Sequence, residues 1–499
     1  MLRLLSKSRK LCSGITRRDL LQAGSLSMLG LGLNQKLAAE DPVPGTGDLS
    51  ANFGRAKRCI VLYLYGSPSQ LETVDMKPEA PDEIRGTMNP VSSSLPGLDV
   101  CEHLPEMAKM MDRVTVVRSL THPYPLHGVA FAMTGVPAID VAMELSPHDP
   151  RHHPYFTSAA QAAMERDGRL SETGIAANVA LPFPFSTQRV GEVHRAGPYA
   201  AYLGGAYNPL WTEFVGNSTR SVYKTLQDRK VDCHDPYLGC TKESYFRIAS
   251  TEPPIELTLD RMNRRKSLLD QFDRVRDDLA ETISGSSLSH FQKTAFSLLE
   301  NPEMVRALDV RSELSSTRDL YGHTLFGQAC LAGRRLLESG TSLVSVFWDE
   351  YGLAGDAWDT HWNHYPRMTD QLLPGFDRAF SGLVLDLEDR GMLEDTLIVC
   401  LSEHGRTPKL NQAKGGGRDH WSRAYSGLFA GGGIASGKVI GATDKHAADV
   451  KDRPLSPKSM LATMYHLLGI DPHSTFVDRT GQHVPLVPRS AEVVPEMLA

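Results

Sequence analysis

Cysteine is scarce in this chain, and its spacing excludes a thiolate metal cluster. The 499 residues include seven cysteines, and Cys12 falls in an N-terminal segment with the features of a targeting signal. No two cysteines have the CxxC spacing typical of zinc clusters. Cys233 and Cys240, in VDCHDPYLGC, are close enough in sequence to form a disulfide in an oxidising compartment, and the sequence leaves that pairing open.

Long hydrophobic runs and excess positive charge are also missing. The apolar run AGSLSMLGLGL has 11 residues, whereas about 20 are needed to cross a bilayer, so we expect no stable membrane span. Residues 1–39 hold seven Lys or Arg and one acidic residue, which leaves 46 basic and 58 acidic residues in the rest of the chain. Such an acidic chain argues against non-specific nucleic-acid binding, which depends on neutralising phosphates.

The first 39 residues have the pattern of a twin-arginine signal peptide. Arg17-Arg18 precedes Leu20-Leu21, the weakly apolar run follows, and small residues Ala38-Ala39 come before EDPVPG. The alternative is a surface helix that carries two arginines. The signal predicts export by the twin-arginine route to the periplasm or outside the cell, followed by a linker over residues 40–55 that is rich in Pro, Gly and Asp.

Apolar runs that end in turn residues alternate with helical periodicity along the rest of the chain. The strand-like runs are AKRCIVLYLYG, DRVTVVRSL, TSLVSVFW and TLIVCLS, and helical spacing dominates from about residue 256 to 340 and in SPKSMLATMYHLLGI. This alternation predicts an α/β fold with a mostly parallel central sheet and helices on both faces. We expect one domain over residues 56–490, with a loop-rich insertion at about 155–255.

Polar clusters follow three of the strand-like runs, where the carboxyl ends of parallel strands gather ligands. They are GSPSQLETVD, WDTHWNH, and SEHGR together with GRDHW. Imidazole and carboxylate mixtures suit divalent ions such as zinc or manganese. The candidate metal ligands are Asp359, His361, His364, Glu403, His404, Asp419 and His420. The alternative is that Asp359 caps the following helix, His361 and His364 are polar surface residues, and Asp419-His420 forms a hydrogen bond within a tight turn.

Basic and small residues flank these ligands and suggest an anion site. Arg guanidinium binds sulfate or phosphate through paired donors, and Gly415 to Gly417 allow a close backbone approach or a flexible lid. The candidate anion-binding residues are Arg406, Arg418, Ser67 and Ser69. The alternative is a solvated loop whose arginines pair with Glu403 and Asp419.

These motifs together resemble a known family. SEHGRTPKLN, GGRDHW, LFAGGGIASGKVIGATD, WDTHWN and GSPSQLETVDMKP closely resemble the bacterial exported family called domain of unknown function 1501, from about residue 57 to 485. That family is similar to the alkaline phosphatase and sulfatase superfamily. The resemblance implies an alkaline-phosphatase-like α/β core with a metal centre at the strand ends.

The superfamily pattern maps onto particular residues. Asp359 with His361 or His364 matches its Asp/His pair, Glu403-His404 matches its Asp-His pair with Glu for Asp, and His420 matches its last His. THPYPLHGVAFAMTG resembles the sulfatase nucleophile motif, but the position ten residues before Gly135 is Pro125, which excludes the formylglycine mechanism there. Tyr65-Gly66 stands where the superfamily usually places a metal-binding Asp.

Two functions remain open at this point. The first is an exported hydrolase of phosphate or sulfate esters that depends on a divalent ion (Zn, Mn or Ca), with His127 and His122 as candidate catalytic residues and a small-molecule or polysaccharide ester as substrate. The second is a non-catalytic member of the fold that binds a glycan or a protein. The sequence does not indicate an oligomeric state.

Overall fold

The computed structural model of the protein describes residues 49–127, 130–136, 141–147, 149, 151–170, 175–189, 194–226, 229–248, 302–353 and 356–499. The chain divides into two compact units, Met1–Gly47 and Asp48–Ala499, and this boundary falls within the predicted linker. The predicted signal peptide lies outside the described residues, as does the helical pattern expected from residue 256 to 301.

A nine-stranded sheet forms the centre of the second unit. Its strands, numbered along the chain, are β1 (Arg58–Leu64), β2 (Thr115–Leu120), β3 (Asn178–Leu181), β4 (Leu210–Val215), β5 (Tyr245–Ile248), β6 (Leu343–Trp348), β7 (Thr396–Leu401), β8 (Tyr425–Ala430) and β9 (Lys438–Ile440). Their order across the sheet is β9-β2-β8-β7-β1-β6-β3-β4-β5.

The middle of this sheet is parallel. β1 pairs in parallel with both β6 and β7, and β6 pairs in parallel with β3. Two strands run the other way, because β8 pairs antiparallel with β7 and β2, and β5 pairs antiparallel with β4. The mostly parallel sheet expected from the sequence is confirmed, and the carboxyl ends of β1, β6 and β7 therefore open at one edge.

Helices cover both faces of the sheet, as the α/β pattern predicts. Ile60 and Leu62 of β1 point into one hydrophobic cluster, and Cys59 and Val61 point into the other, as the two-residue period of a strand requires. The longest described helices are α1 (Phe156–Arg166) and α4 (Pro457–Leu467) on the second face and α2 (Leu325–Ser339) and α3 (Leu373–Asp389) on the first.

The helix α2 shows how local sequence sets an element's ends. The Thr324 side chain accepts a hydrogen bond from the Gly327 N–H, which caps the first turn. Gly340 closes the helix with φ of 113°, a conformation that glycine adopts without steric cost. The helix therefore ends at Gly340.

The prediction of a loop-rich insertion at 155–255 did not include strands of the central sheet. This region supplies α1 and the strands β3, β4 and β5. These strands have four to six residues each, and Gly- and Pro-rich turns separate them, so they leave little periodicity in the sequence. A two-stranded hairpin of this region, Ser221–Leu226 with Arg229–His234, stands apart from the main sheet.

Smaller elements complete the described chain. The other two-stranded sheets are Pro90–Ser92 with Asp99–Cys101, Gly405–Arg406 with His420–Trp421, Ala442–Thr443 with Val450–Asp452, and Thr475–Val477 with His483–Pro485. Short α-helices span Leu49–Asn52, Asp82–Arg85, Pro105–Ala108, Ala130–Thr134, Val141–Glu144, Pro302–Leu308, Ser315–Tyr321 and His364–Arg367, and a π-helical turn over Met368–Leu372 leads into α3.

Two further expectations concern cysteines and membranes. Cys233 and Cys240 do not form a disulfide with each other in this structure, so the pairing left open by the sequence is not formed here. Among the described residues, the helices are too short or too polar for any of them to cross a membrane.

Candidate metal centre

Loops that follow three strands of the sheet meet at its carboxyl edge, together with one short strand. The loop after β2 carries His127, the loop after β6 carries Asp359 and His361, and Glu403 and His404 follow β7 directly. His420 comes from the short strand His420–Trp421, which pairs with Gly405–Arg406 just beyond β7. Side chains separated by almost 300 residues in the sequence therefore share one site.

The first ligand group is His127, Asp359, His361 and His420, whose donor atoms all lie within 4.8 Å of one another. Asp359 Oδ1 lies 2.9 Å from His361 Nε2 and 3.4 Å from His420 Nε2. Its other oxygen, Oδ2, lies 3.4 Å from His127 Nε2. The two nitrogens His361 Nε2 and His420 Nε2 are 3.0 Å apart. One carboxylate thus faces three imidazoles.

The Nδ1 atoms of His361 and His420 each lie within hydrogen-bond distance of an oxygen acceptor. Nδ1 of His361 lies 2.7 Å from Asp419 Oδ1, and Nδ1 of His420 lies 3.1 Å from the carbonyl oxygen of Pro125. Since both partners accept hydrogen bonds, each Nδ1 carries a proton, and the Nε2 atom of each ring is left to face the centre. Burial lowers the pKa of His361, but Asp359 raises it above its ordinary value. The two Nε2 atoms lie 3.0 Å apart, so either one of them carries a proton or a cation lies beside both.

The second ligand group is His127, Glu403 and His404. His404 Nδ1 lies 2.9 Å from the carbonyl oxygen of Gly405, so its Nε2 also presents a lone pair. Within the described part of the chain, His404 Nε2 and Glu403 Oε2 are buried and have no hydrogen-bond partner. Buried polar atoms without partners are costly, and a divalent ion would satisfy both. The ring centroids of His404 and His420 lie 4.6 Å apart, so the two groups adjoin.

The charges around the two groups favour neutral, metal-binding imidazoles at His404 and His420. Burial lowers the pKa of both rings, and the neighbouring His127 lowers each further. His127 differs, because burial lowers its pKa but Asp359 and Glu403 outweigh this and raise it to about 9. Burial raises the pKa of Asp359, yet Arg406 and His127 hold it well below its usual range, so this carboxylate is ionised.

Position 66 explains why the first strand supplies no carboxylate. Gly66 has φ of 95°, and a Cβ placed on it would lie 2.3 Å from the backbone nitrogen of Asp359. The Gly66 N–H instead donates to Glu403 Oε1 at 2.8 Å. His127 Nδ1 lies 2.9 Å from the same oxygen. The chain therefore approaches the loop after β6 too closely for any side chain at position 66.

Arg406 is placed differently from the expectation that it binds an anion. It is fully buried, and its guanidinium donates to the carbonyl oxygens of Gly66 and Ser67 and to Asp359 Oδ1, the last at 2.6 Å. Because these donors are used within the protein, Arg406 joins the loops after β1, β6 and β7 and orients Asp359. The structure thus gives Arg406 a structural role, and its predicted anion binding stays a prediction.

Arg418 and His364 form a second buried network rather than facing the centre. The Arg418 guanidinium donates to Glu72 Oε1, and His364 Nε2 lies 3.4 Å from Glu72 Oε2. His364 Nδ1 pairs with Thr360 Oγ1 at 2.8 Å. Arg418 and His364 therefore lie together around Glu72, outside the two candidate ligand groups found among the described residues. Burial raises the pKa of Glu72, but Arg418 and His364 bring it down to about 2.

His122, Ser67 and Ser69 lie close to the centre in supporting positions. His122 Nε2 lies 2.7 Å from the Glu403 carbonyl oxygen, and its Nδ1 accepts the Tyr124 N–H. Burial lowers its pKa to about 4. With both ring nitrogens used, His122 fixes the strand ends, which does not fit the catalytic role expected of it. Ser67 Oγ accepts the His404 N–H at 3.2 Å, and Ser69 is buried, so neither serine presents a hydroxyl to an anion at the surface.

The three consecutive glycines support the metal loop and do not form a lid. Gly415 and Gly416 accept hydrogen bonds from the N–H groups of Tyr365 and His364. A Cβ on Gly417 would lie 1.9 Å from the carbonyl oxygen of His361. The glycines are needed because this segment packs backbone to backbone against the residues that follow His361.

Two buried carboxylates beside the centre were missed by the sequence analysis. Asp349 and Glu350 follow β6 directly and are almost completely buried. Burial raises their pKa values, to about 6 for Asp349 and to about 7 for Glu350, although Arg189 opposes both shifts. The available signal was the pair DE directly after LVSVFW, the same strand-end position that identified Glu403.

Comparison with protein families identifies this chain. The model for the family described as "Protein of unknown function (DUF1501)" matches residues 56–498. The chain belongs to that family, which confirms the resemblance seen in its motifs. A search of curated proteins finds no match.

Solved structures with a similar arrangement of elements include two hydrolases. One is the PsFucS1 sulfatase from Pseudoalteromonas sp., with a TM-score of 0.34 and 12% sequence identity over 86% of this chain and 72% of the other. Another is the phosphonate monoester hydrolase SpPMH from Silicibacter pomeroyi, with a TM-score of 0.32 and 11% identity over 84% and 74%.

Proposed function

We propose that this member of the DUF1501 family is an exported, metal-dependent hydrolase of phosphate or sulfate esters. The observation that carries the proposal is the set of three imidazoles, His361, His404 and His420, whose Nδ1 atoms are all engaged by oxygen acceptors. His361 and His420 belong to one candidate ligand group with Asp359, and His404 belongs to the adjoining group with Glu403. Outer hydrogen bonds of this kind orient histidine ligands in metalloenzymes.

The donor set indicates which ion fits. Nitrogen from imidazole with oxygen from carboxylate is the mixture that suits zinc or manganese. Calcium takes oxygen ligands, so the histidine-rich site argues against it. A bound divalent ion would polarise the ester oxygen and lower the pKa of water at the site.

The chain's own residues give this site its shape. Asp419, the Pro125 carbonyl and the Gly405 carbonyl orient the three imidazoles, and Arg406 fixes Asp359. His127 lies between the two ligand groups, with one nitrogen beside Glu403 and the other beside Asp359. We assign His127 to direct contact with the ester or the ion, because it is the imidazole shared by both groups. The substrate is an ester of a small molecule or of a polysaccharide.

The test begins with protein recovered after native export. Its zinc and manganese content is measured by mass spectrometry, and hydrolysis of p-nitrophenyl phosphate and p-nitrophenyl sulfate is measured with each ion added. We expect about one bound ion or more per chain and activity on at least one ester. His404→Ala and His420→Ala should each lower kcat/KM at least about 100-fold, the upper part of the range for perturbed metal sites.

His473→Ala is the matched control, because His473 is exposed and lies on a loop near the C-terminus. It should keep the wild-type metal content and activity, and circular dichroism should show that all three variants are folded. A wild-type protein that binds neither ion and hydrolyses neither ester would contradict the proposal and favour the non-catalytic glycan- or protein-binding role.

A further inference from the structure

Lys224 lies outside the metal centre but is connected to it through buried contacts. It belongs to the hairpin Ser221–Leu226 with Arg229–His234, in which it pairs with Val231. Its side chain is 8% exposed, which is unusual for lysine, a residue that is almost never buried without partners. No motif in the sequence singled out this residue.

The ammonium of Lys224 uses its donors on two different segments. Nζ lies 2.9 Å from Asp235 Oδ2, at the end of the hairpin. It also donates to the Tyr351 carbonyl oxygen at 2.7 Å and to the Asp356 carboxylate, both in the loop that follows β6. Since an ammonium has three N–H donors, these contacts use all of them. Lys224 therefore ties the hairpin to the loop that carries Asp359 and His361.

The contact continues from Asp356 to Asp359 through the backbone and through Arg367. The Asp359 N–H donates to the Asp356 carbonyl oxygen at 3.2 Å. Arg367 lies with Nη2 3.5 Å from Asp356 Oδ1 and donates through Nη1 to the Asp359 carbonyl oxygen at 3.1 Å. Its guanidinium also donates to the carbonyl oxygen of Ala357. Residues 356–359 are thus held on one side by Lys224 and on the other by Arg367.

The pKa of Lys224 is consistent with its position between Asp356 and Asp235. Burial lowers the pKa of Lys224, but Asp356 and Asp235 raise it well above its ordinary value, so the ammonium stays charged. A buried charge of this kind is sensitive to the loss of either partner. Substitution of Lys224 leaves two acidic side chains facing each other, which pushes Asp356, and the loop behind it, away from the hairpin.

We propose that Lys224 is a positioning residue for the metal centre, acting through Asp356 on the segment that carries Asp359 and His361. The inference rests on the proposed function, in that the ligands it positions are those of the divalent ion. Residues that orient metal ligands from outside change metal affinity by about 10- to 100-fold when they are substituted. A lysine that only stabilised the hairpin would leave that affinity unchanged.

The experiment compares Lys224→Met with Lys242→Met, an exposed lysine of the same region. The dissociation constant for Zn²⁺ is measured by competition with a chromophoric chelator, and amide hydrogen exchange of residues 349–363 is measured by mass spectrometry in the metal-free proteins. We expect Lys224→Met to weaken Zn²⁺ binding at least about 10-fold and to speed exchange in residues 349–363, with little change in residues 403–406. Lys242→Met should match the wild type in both measurements.

Asp356→Asn is a second variant in case Lys224→Met does not fold, because the amide keeps the shape of the carboxylate and removes its charge. It should show both effects in weaker form. Either of two results would overturn the inference. One is that hydrogen exchange in residues 349–363 does not change in the variants. The other is that a variant exchanges faster in these residues but binds Zn²⁺ as tightly as the wild type. If the wild type binds no Zn²⁺, the dissociation constant is measured for Mn²⁺ instead. A wild type that binds neither ion counts against the proposed function, and the exchange measurement alone then decides whether Lys224 holds this loop.

Discussion

At the scale of single residues, the centre depends on how closely backbones approach one another. Gly66 and Asp359 approach each other through main-chain atoms. Arg406 donates to the carbonyl oxygens of Gly66 and Ser67 on one side of that contact and to the Asp359 carboxylate on the other. The carboxylate of Asp359 is aimed at three imidazoles because its own backbone is held at this point. The positions of the candidate ligands are therefore set in part by Gly66 and Arg406, neither of which is a ligand itself.

Gly66→Ala should disrupt both stability and ion binding. The new Cβ would lie 2.3 Å from the Asp359 nitrogen, at a φ of 95° that alanine rarely adopts. Gly97→Ala is the control, because Gly97 has φ of 84° but open space around it. The backbone strain costs roughly 1–2 kcal/mol at either position, and the steric overlap adds about 1–3 kcal/mol at position 66 alone. Urea denaturation measures the difference, and equal losses in the two variants would contradict this account.

His361 and His364 show why the sequence did not resolve the ligand set. Both histidines follow Asp359 within five residues, and either spacing fits an Asp/His pair. Asn363 between them has φ of 51° and begins the helix His364–Arg367. That turn directs His364 towards Glu72 and Thr360, away from Asp359. A left-handed residue at this position cannot be recognised from the residue types alone.

At the scale of elements, one buried carboxylate connects helix α3 to the short helix Pro105–Ala108. Asp377 is 3% exposed and accepts the backbone N–H groups of Glu106 and Met107 at the start of the helix Pro105–Ala108. Burial raises the pKa of Asp377 to about 6, although these two hydrogen bonds oppose the shift. The contact is therefore sensitive to pH.

The contribution of Asp377 to the free energy of unfolding should fall as pH rises. The folded-state pKa of Asp377, about 6, lies above its ordinary value of 3.8, so between pH 4 and 6 the folded protein holds a proton that the unfolded chain has lost. The unfolding free energy of the wild type, relative to Asp377→Asn, should drop by up to about 3 kcal/mol from pH 4 to pH 7. Asp389→Asn, at the exposed end of the same helix, is the matched control. Urea denaturation at each pH measures both, and a difference that rises with pH would refute the assignment.

The sequence predicted the strands in the middle of the sheet, but it did not predict β4 and β5 at one side. β1, β6 and β7 are buried on both faces, so each is a continuous apolar run that ends at a turn. β4 is half-buried and carries Glu213 among its apolar residues, and β5 has four residues with Arg247 exposed. Such strands join the sheet through long-range pairing, which leaves no pattern within the strand itself.

At the scale of the whole molecule, a cation would connect parts of the chain that are distant in sequence. Its candidate ligands come from loops after β2, β6 and β7 and from the strand His420–Trp421. An ion that binds the folded protein and not the unfolded chain stabilises the fold by mass action. The metal centre and the tertiary structure should therefore be thermodynamically linked.

Zinc should raise the resistance of the whole domain to unfolding. At a free concentration of 100 times Kd, the gain is about 2.7 kcal/mol, seen as a higher midpoint of thermal unfolding than in the presence of a chelator. His361→Ala should lose most of this gain, because it removes one ligand nitrogen and the link to Asp419. His483→Ala, exposed in the hairpin Thr475–Val477 with His483–Pro485, should keep it. Equal gains in both variants would show that zinc acts elsewhere.

The glycine segment against the metal loop has a consequence for chain length. Gly415, Gly416 and Gly417 each meet a defined backbone group of residues 361–365, and Asn411 reaches the His361 carbonyl oxygen at 2.9 Å. The number of residues between Thr407 and Asp419 therefore sets the position of Asp419 relative to His361. Inserting or deleting one residue would slide Asp419 off His361, so homologues can vary the exposed side chains of this stretch far more freely than its length.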